Sequence, residues 1–280
     1  MLVASIASGS TITATRAFGT TAAAAGAAND GIFIIGNVSE EGAGARNVNA
    51  TESEKESNYT QIFKTTIAVT NTEKEAKLYG GPDLPYQRGK KATEHALAIE
   101  QAFWFGEKKS TTGTMGKPKK ATGGVLEFIL SGNSYIQNQG GPLTAPDMNT
   151  FLREAFTYGN SNKVLMAGGM VLQAVNEIAR GQVITKTGDT TYGVKVSEWM
   201  TPFGSINIVH NPLFIGDYSG YAFLLDMECF KYRYMNNRDT KLETNIQAND
   251  ADGEVDQYIT ECGLQRMQAP RHALLKGVIS

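Results

Sequence analysis

Between Asn58 and Thr72 the chain reads Asn-Tyr-Thr-Gln-Ile-Phe-Lys-Thr-Thr-Ile-Ala-Val-Thr-Asn-Thr, and a helical pattern then runs from Leu84 to Phe105. Tyr59, Phe63, Ile67 and Val69 fall on one side of the alternation, Thr60, Lys64, Thr66 and Thr70 on the other. Period two with one apolar side predicts a strand with a buried face and a wet face. At ~3.3 Å per residue it spans roughly 40 Å. No obvious hairpin partner flanks it. A strand that long is an aggregation hazard unless its edge is covered. The expectation is that a neighbouring chain covers it, with Tyr59, Phe63, Ile67 and Val69 at the contact and the polar stretch Asn37–Ser57 projecting beside them.

The helix is the best-defined element. Asp83 can cap it, Pro85 suits a first turn, and Gly106 suits a stop. Leu84, Ala92, Ala96, Ile99 and Phe103 form its stripe, with Leu97 and Trp104 beside them. Gly89-Lys90 is the expected weak point, since glycine inside a helix costs up to ~1 kcal/mol. Further helices are predicted over Ala145–Tyr158, capped by Asp147 or Thr144, and over Gly169–Arg180, ended by Gly181. Strands are predicted at Leu2–Ile6, Thr11–Arg16, Ile32–Ile35, Lys163–Ala167, Val194–Met200, Ser205–His210, Ala222–Met227, Lys231–Tyr234 and Ala273–Ile279. Helices in the middle and strands at both ends make an α+β chain rather than a repeated βαβ array.

At 280 residues there is room for one large or two ordinary domains. A net charge of −2 disfavours a domain whose whole surface is basic. Charge is nonetheless concentrated locally. Residues 107–120 carry Lys108, Lys109, Lys117, Lys119 and Lys120 against one carboxylate, Glu107. This glycine-containing stretch reads as a solvated loop able to touch DNA phosphates or an acidic surface on a neighbour. Its Gly113-Thr-Met-Gly116-Lys117-Pro118 lacks the glycine spacing and the Ser or Thr of a phosphate loop. Asp250-Ala-Asp252-Gly253-Glu254 resembles part of a calcium loop, but its first and twelfth positions would be Ala248 and Ile259. It reads as an acidic turn.

No catalytic constellation emerges. His95, His210 and His272 are scattered, with His95 expected at a surface or interface, and Cys229 and Cys262 lack metal-ligand spacing and read as reduced thiols. No apolar run approaches the ~18–20 residues of a membrane span, and no basic segment marks a signal peptide.

The blocks Thr15-Arg16-Ala-Phe-Gly19-Thr20-Thr21, Asn58–Thr72, Ala98-Ile99-Glu100-Gln-Ala-Phe-Trp-Phe105-Gly106 and Thr122-Gly123-Gly124-Val125, with Tyr232–Asn245 and Ile259–Val278, resemble the major capsid proteins of tailed bacteriophages. The likeness is to the myovirus-type heads of the Hong Kong 97-like fold. It implies an extended β-hairpin loop with a small β-rich insertion over residues 1–80, a peripheral domain with its spine helix over 81–143, an axial domain over 144–215, and peripheral strands over 216–280. Relative to that family the chain starts inside the insertion, after the N-terminal arm. The resemblance further implies a non-enzymatic shell subunit made in the host cytoplasm and carried in the virion. Its partners would be copies of itself in hexamers and pentamers, a portal, decoration proteins and packaged double-stranded DNA. No cofactor, metal or membrane is implied. A cellular protein cage of the same fold and an enzyme without a recognisable motif are the alternatives.

Overall fold

The computed structural model describes residues 2–8, 11–15, 20, 36–45, 54–76, 83–179, 186–187 and 197–279. The expected strand Ile32–Ile35, the alanine-rich tract, the stop at Gly181 and the start of Val194–Met200 lie outside them. Two compact units divide the chain, Met1–Glu54 and Lys55–Ser280. In the first, β1 (Leu2–Ser8) pairs antiparallel with β2 (Thr11–Thr15), with register shifts at Val3/Ser5 and Ile6/Ser8.

The second unit opens with β3 (Gln61–Thr70), the short α1 (Asn71–Glu75) and α2 (Asp83–Phe105), which runs unbroken through Gly89. A hairpin of β4 (Lys109–Thr112) and β5 (Pro118–Ala121) follows, then α3 (Val125–Ser131), β6 (Tyr135–Gly141), α4 (Ala145–Ala155), β7 (Asn162–Ala167) and α5 (Gly169–Ala179). The remaining strands are β8 (Lys186–Thr187), β9 (Ser197–Thr201), β10 (Gly204–His210), β11 (Ala222–Leu225), β12 (Phe230–Tyr234), β13 (Lys241–Glu243), β14 (Gly253–Arg266) and β15 (Ala273–Val278).

Seven strands form one mixed sheet in the order β6-β15-β11-β7-β10-β9-β8. Against one face pack Met148, Phe151 and Leu152 of α4 with Val171 and Val175 of α5, all nearly solvent-free. The other face receives Trp104 from the end of α2, Val125 and Ile129 from α3, and Phe214. With apolar cover on both sides, Ala222-Phe-Leu-Leu225 is buried at every position, which explains its unbroken apolar run. The domain limits expected at 143/144 and 215/216 run through this sheet. At the head of α4, Thr144 and Asp147 form a reciprocal capping box.

The second sheet holds the partner that β3 lacked in the sequence reading. β3 pairs antiparallel with β14 over its full length, from Gln61 opposite Cys262 to Thr70 opposite Gly253, while β13 pairs with residues 257–259 and β12 with residues 262–266 of the same strand. Helix α2 packs on this sheet, and its inner layer is polar. Arg88 meets the fully buried Asp256 at 2.7 Å and Glu254 at 3.0 Å. His95 is 2% exposed, bonded through Nδ1 to Thr65 Oγ1 and through Nε2 to Thr260 Oγ1, each at 2.8 Å. His95, expected at a surface or interface, is instead buried within its own chain, where two threonine hydroxyls satisfy its ring between α2 and the sheet. The helix ends at Gly106, where a Cβ would sit 2.4 Å from the Ala102 carbonyl oxygen.

Candidate assembly surface

Asn58 organises the end of the sheet where β3 begins. Its Oδ1 accepts from the Gly123 N–H at 2.8 Å, while its Nδ2 donates to the carbonyls of Gly123 at 2.9 Å and Leu264 at 2.8 Å. One amide side chain thus replaces a strand neighbour for Gly123 and ties the base of the β4–β5 hairpin to β14. Gln61 adds a second tie, its Oε1 accepting from the Thr122 N–H at 3.1 Å. Arg266, its side chain 2% exposed, continues the anchor. It bonds Glu127 at 2.6 Å and the Gly124 carbonyl at 2.9 Å, and lies over the Phe128 ring at 4.9 Å. The hairpin is therefore mounted on part-buried polar groups, whose loss costs more than that of exposed ones.

The expected loop is corrected to a hairpin: two antiparallel strands carry Lys109, Lys119 and Lys120, with Lys108 and Lys117 just outside them, Ser110 opposite Lys120 and Thr111 opposite Lys119. Lys109, Lys117, Lys119 and Lys120 are exposed and Lys108 is half-buried. None of the five has a carboxylate partner among the described residues. Met115 at the tip is 88% exposed. Tyr59 lies at the root, with Lys120 5.4 Å and Lys108 5.8 Å from its ring centre, distances at which a cation is attracted to the ring. Tyr59 also lines a cleft of about 230 Å³ with Asn58, Arg233, Gly263 and Arg266.

Of the side chains expected to meet a neighbouring copy, Phe63, Ile67 and Val69 are 7%, 3% and 3% exposed. That contact is corrected at these three positions, because α2 of the same chain covers their face of the sheet. Tyr59 is half-buried. What β3 offers outward is its other face, with Ile62 51% exposed beside Lys64, Thr66 and Ala68. Helix α2 also leaves Tyr86 and Leu97 at 66% and 40% exposure. Sequence reasoning missed Asn58 and Arg266 as anchors. Neither sits in a recognisable motif, and their partners are backbone groups more than sixty residues away.

At the opposite end of the same sheet, Thr70 faces Gly253. There Asp252 accepts from the Asn71 amide at 2.6 Å, and Glu254 pairs with Lys74 at 2.6 Å as well as with Arg88. Among the described residues no group of His, Cys, Asp and Glu is arranged to hold a metal ion, and no helix is long and apolar enough to cross a membrane.

Solved structures similar to the chain include the SrpI encapsulin complex of Synechococcus elongatus (TM-score 0.54, 13% identity, 78% of this chain and 74% of the other). The capsid of Myoviridae phage XM1 has a TM-score of 0.52 at 12% identity, covering 78% and 74%. The capsid of an empty GTA particle has a TM-score of 0.54 at 11% identity, covering 85% and 81%. These neighbours place the fold in the Hong Kong 97-like class. A major capsid protein of Pseudomonas phage PaMx41 is 27% identical over 249 residues, 84% of this chain; the chain spans 59% of that relative's length. The family model described as the SU10 major capsid protein matches residues 2–278. With that match running through both units and every described sheet, the chain belongs to the SU10 major capsid protein family.

Proposed function

We propose that the chain is a shell subunit of a phage head, present in hexamers and pentamers that enclose double-stranded DNA. The observation that carries this reading is the family match over residues 2–278, joined to a Hong Kong 97-like fold. The work is geometric rather than catalytic. Heterologous contacts that close give rings, and the same surfaces reused at slightly different angles give five- and six-membered ones. In this reading the residues before β3 supply the extended loop with its β-rich insertion, and β3 roots that loop in the peripheral sheet. α2 is the spine helix, and α4 and α5 belong to the axial domain. The virion is the protein's destination, with portal, decoration proteins and DNA as further partners.

The test is negative-stain microscopy of the purified chain, where closed shells are expected. A protein that stays monomeric at every concentration and salt tried overturns the reading. The encapsulin-like neighbour supports one rival, a cage around a protein cargo. Nuclease-protected double-stranded DNA in particles from infected cells favours the phage head, and a protein cargo without nucleic acid favours the cage.

A further inference from the structure

We infer that copies of this chain meet head to tail, the lysine hairpin of one docking on the carboxylate-rich end of the next copy's β3–β14 sheet. This deepens the shell-subunit reading and rests on it.

Two opposite charges sit at the two ends of one rigid element. At the end where β3 starts, the β4–β5 hairpin carries Lys108, Lys109, Lys117, Lys119 and Lys120 with only Glu107 among them. At the end where β3 stops lie Glu73, Glu75, Asp250, Asp252, Glu254 and Asp256, answered among the described residues by Lys74 and Arg88. Glu73, Glu75 and Asp250 are exposed and make no ion pair among the described residues. The ten residues of β3 hold the two ends roughly 30 Å apart. That separation exceeds the ~8 Å screening length at physiological salt several times over, so the ends cannot neutralise each other within one copy. A second copy displaced along the sheet brings them together.

The arrangement favours a protein partner over nucleic acid for two reasons. First, the complementary charge is already present in the same chain, whose net charge is only −2. Second, the hairpin's base is fixed by Asn58, Gln61 and Arg266, which holds the lysines in a set direction. A phosphate backbone needs no such fixed aim. Exposed ion pairs add little affinity singly, but complementary ends suppress wrong orientations and speed encounter. Unlike ends joined in sequence make a heterologous contact, the kind that builds rings.

The test joins cross-linking to charge reversal in the full chain. Equal amounts of 15N-labelled and unlabelled protein are mixed under assembly conditions and treated with a carbodiimide, which joins amines to carboxylates. Expected are label-mixed peptides linking residues 108–120 to residues 73–75 or 250–256. One variant carries K117E, K119E and K120E, and a second carries E73K, E75K and D250K. Each alone should lower the assembled fraction ~10-fold at 0.15 M salt, and one chain carrying all six should recover to within about twofold. Three results overturn the proposal: wild-type assembly by the hairpin variant, a six-fold variant that melts like wild type but does not assemble, or a hairpin variant that builds normal shells and loses only DNA. The last would assign the lysines to phosphate. Should the wild type form no closed shell, the shell reading fails, while the cross-links still decide the head-to-tail contact.

Discussion

Lys163 and His272 show how single buried polar groups hold the elements of this chain together. Lys163 is 1% exposed, and its Nζ donates to the carbonyls of Ala155, Arg271 and Tyr158 at 2.6, 2.7 and 2.8 Å. One ammonium thus caps the end of α4 and fastens it to the turn before β15. Burial pushes its pKa down to about 8. K163M should cost about 3 kcal/mol in urea unfolding, since the carbonyls would be left buried without a donor. His272, also 1% exposed, accepts the Asp226 N–H at Nδ1, and its Nε2–H donates to the Met267 carbonyl. Burial lowers its pKa from 6.5 to about 4, so the folded chain holds the ring neutral while the unfolded chain protonates it. The stability this contributes is complete above pH 6.5. It declines as pH falls from 6.5 to 4, by roughly 3 kcal/mol in total. Denaturation curves taken across that range should show the decline, and H272Q should show a total decline smaller by this amount.

Among the elements, β3 and α2 were legible in the sequence and β14 was not. β3 alternates cleanly, and Pro85 near the start and Gly106 just past the end marked the extent of α2, although the side it buries carries His95 and Trp104 while Ala96 of the expected stripe is exposed. β14 is the longest strand described, yet its inward side carries Asp256, Tyr258 and Thr260 where a strand pattern calls for apolar residues. Those polar groups are buried because Arg88 and His95 of α2 meet them, a pairing across more than 160 residues that no window reveals. The same fact explains why Phe63, Ile67 and Val69 were assigned to a neighbour: their cover belongs to their own chain. F63D/I67D should therefore unfold the monomer, each unpaired buried charge costing several kcal/mol, rather than leave a folded chain unable to assemble. Circular dichroism of the purified variant decides it. R88A should cost about 3 kcal/mol by stranding Asp256, and R88M/D256L should recover most of that loss. For the hairpin, N58A should cost about 2 kcal/mol and quicken amide exchange over residues 109–121 more than in α4.

At the scale of the whole molecule, the candidate surface was half legible. The lysine run stands out by composition, whereas its mounting on Asn58 and Arg266 and its position opposite the acidic end depend on which strands pair. One feature of that pairing reaches beyond the finished structure. β14 is the strand on which β3, β12 and β13 all depend, and β15 lies between β6 and β11 in the larger sheet. Both are translated after every strand they join. Until the ribosome has passed Arg266 β3 has no partner, and until it has passed Val278 the larger sheet is split between β6 and β11. Long-range pairing of this kind is slow, and its open edges invite misassociation. Newly made chains on a crowded messenger therefore cannot present the hairpin and the acidic end in their joining geometry, because the sheet that spaces them does not yet exist. For the proposed head-to-tail contact, synthesis itself acts as the timer, withholding that contact until β14 and β15 are released.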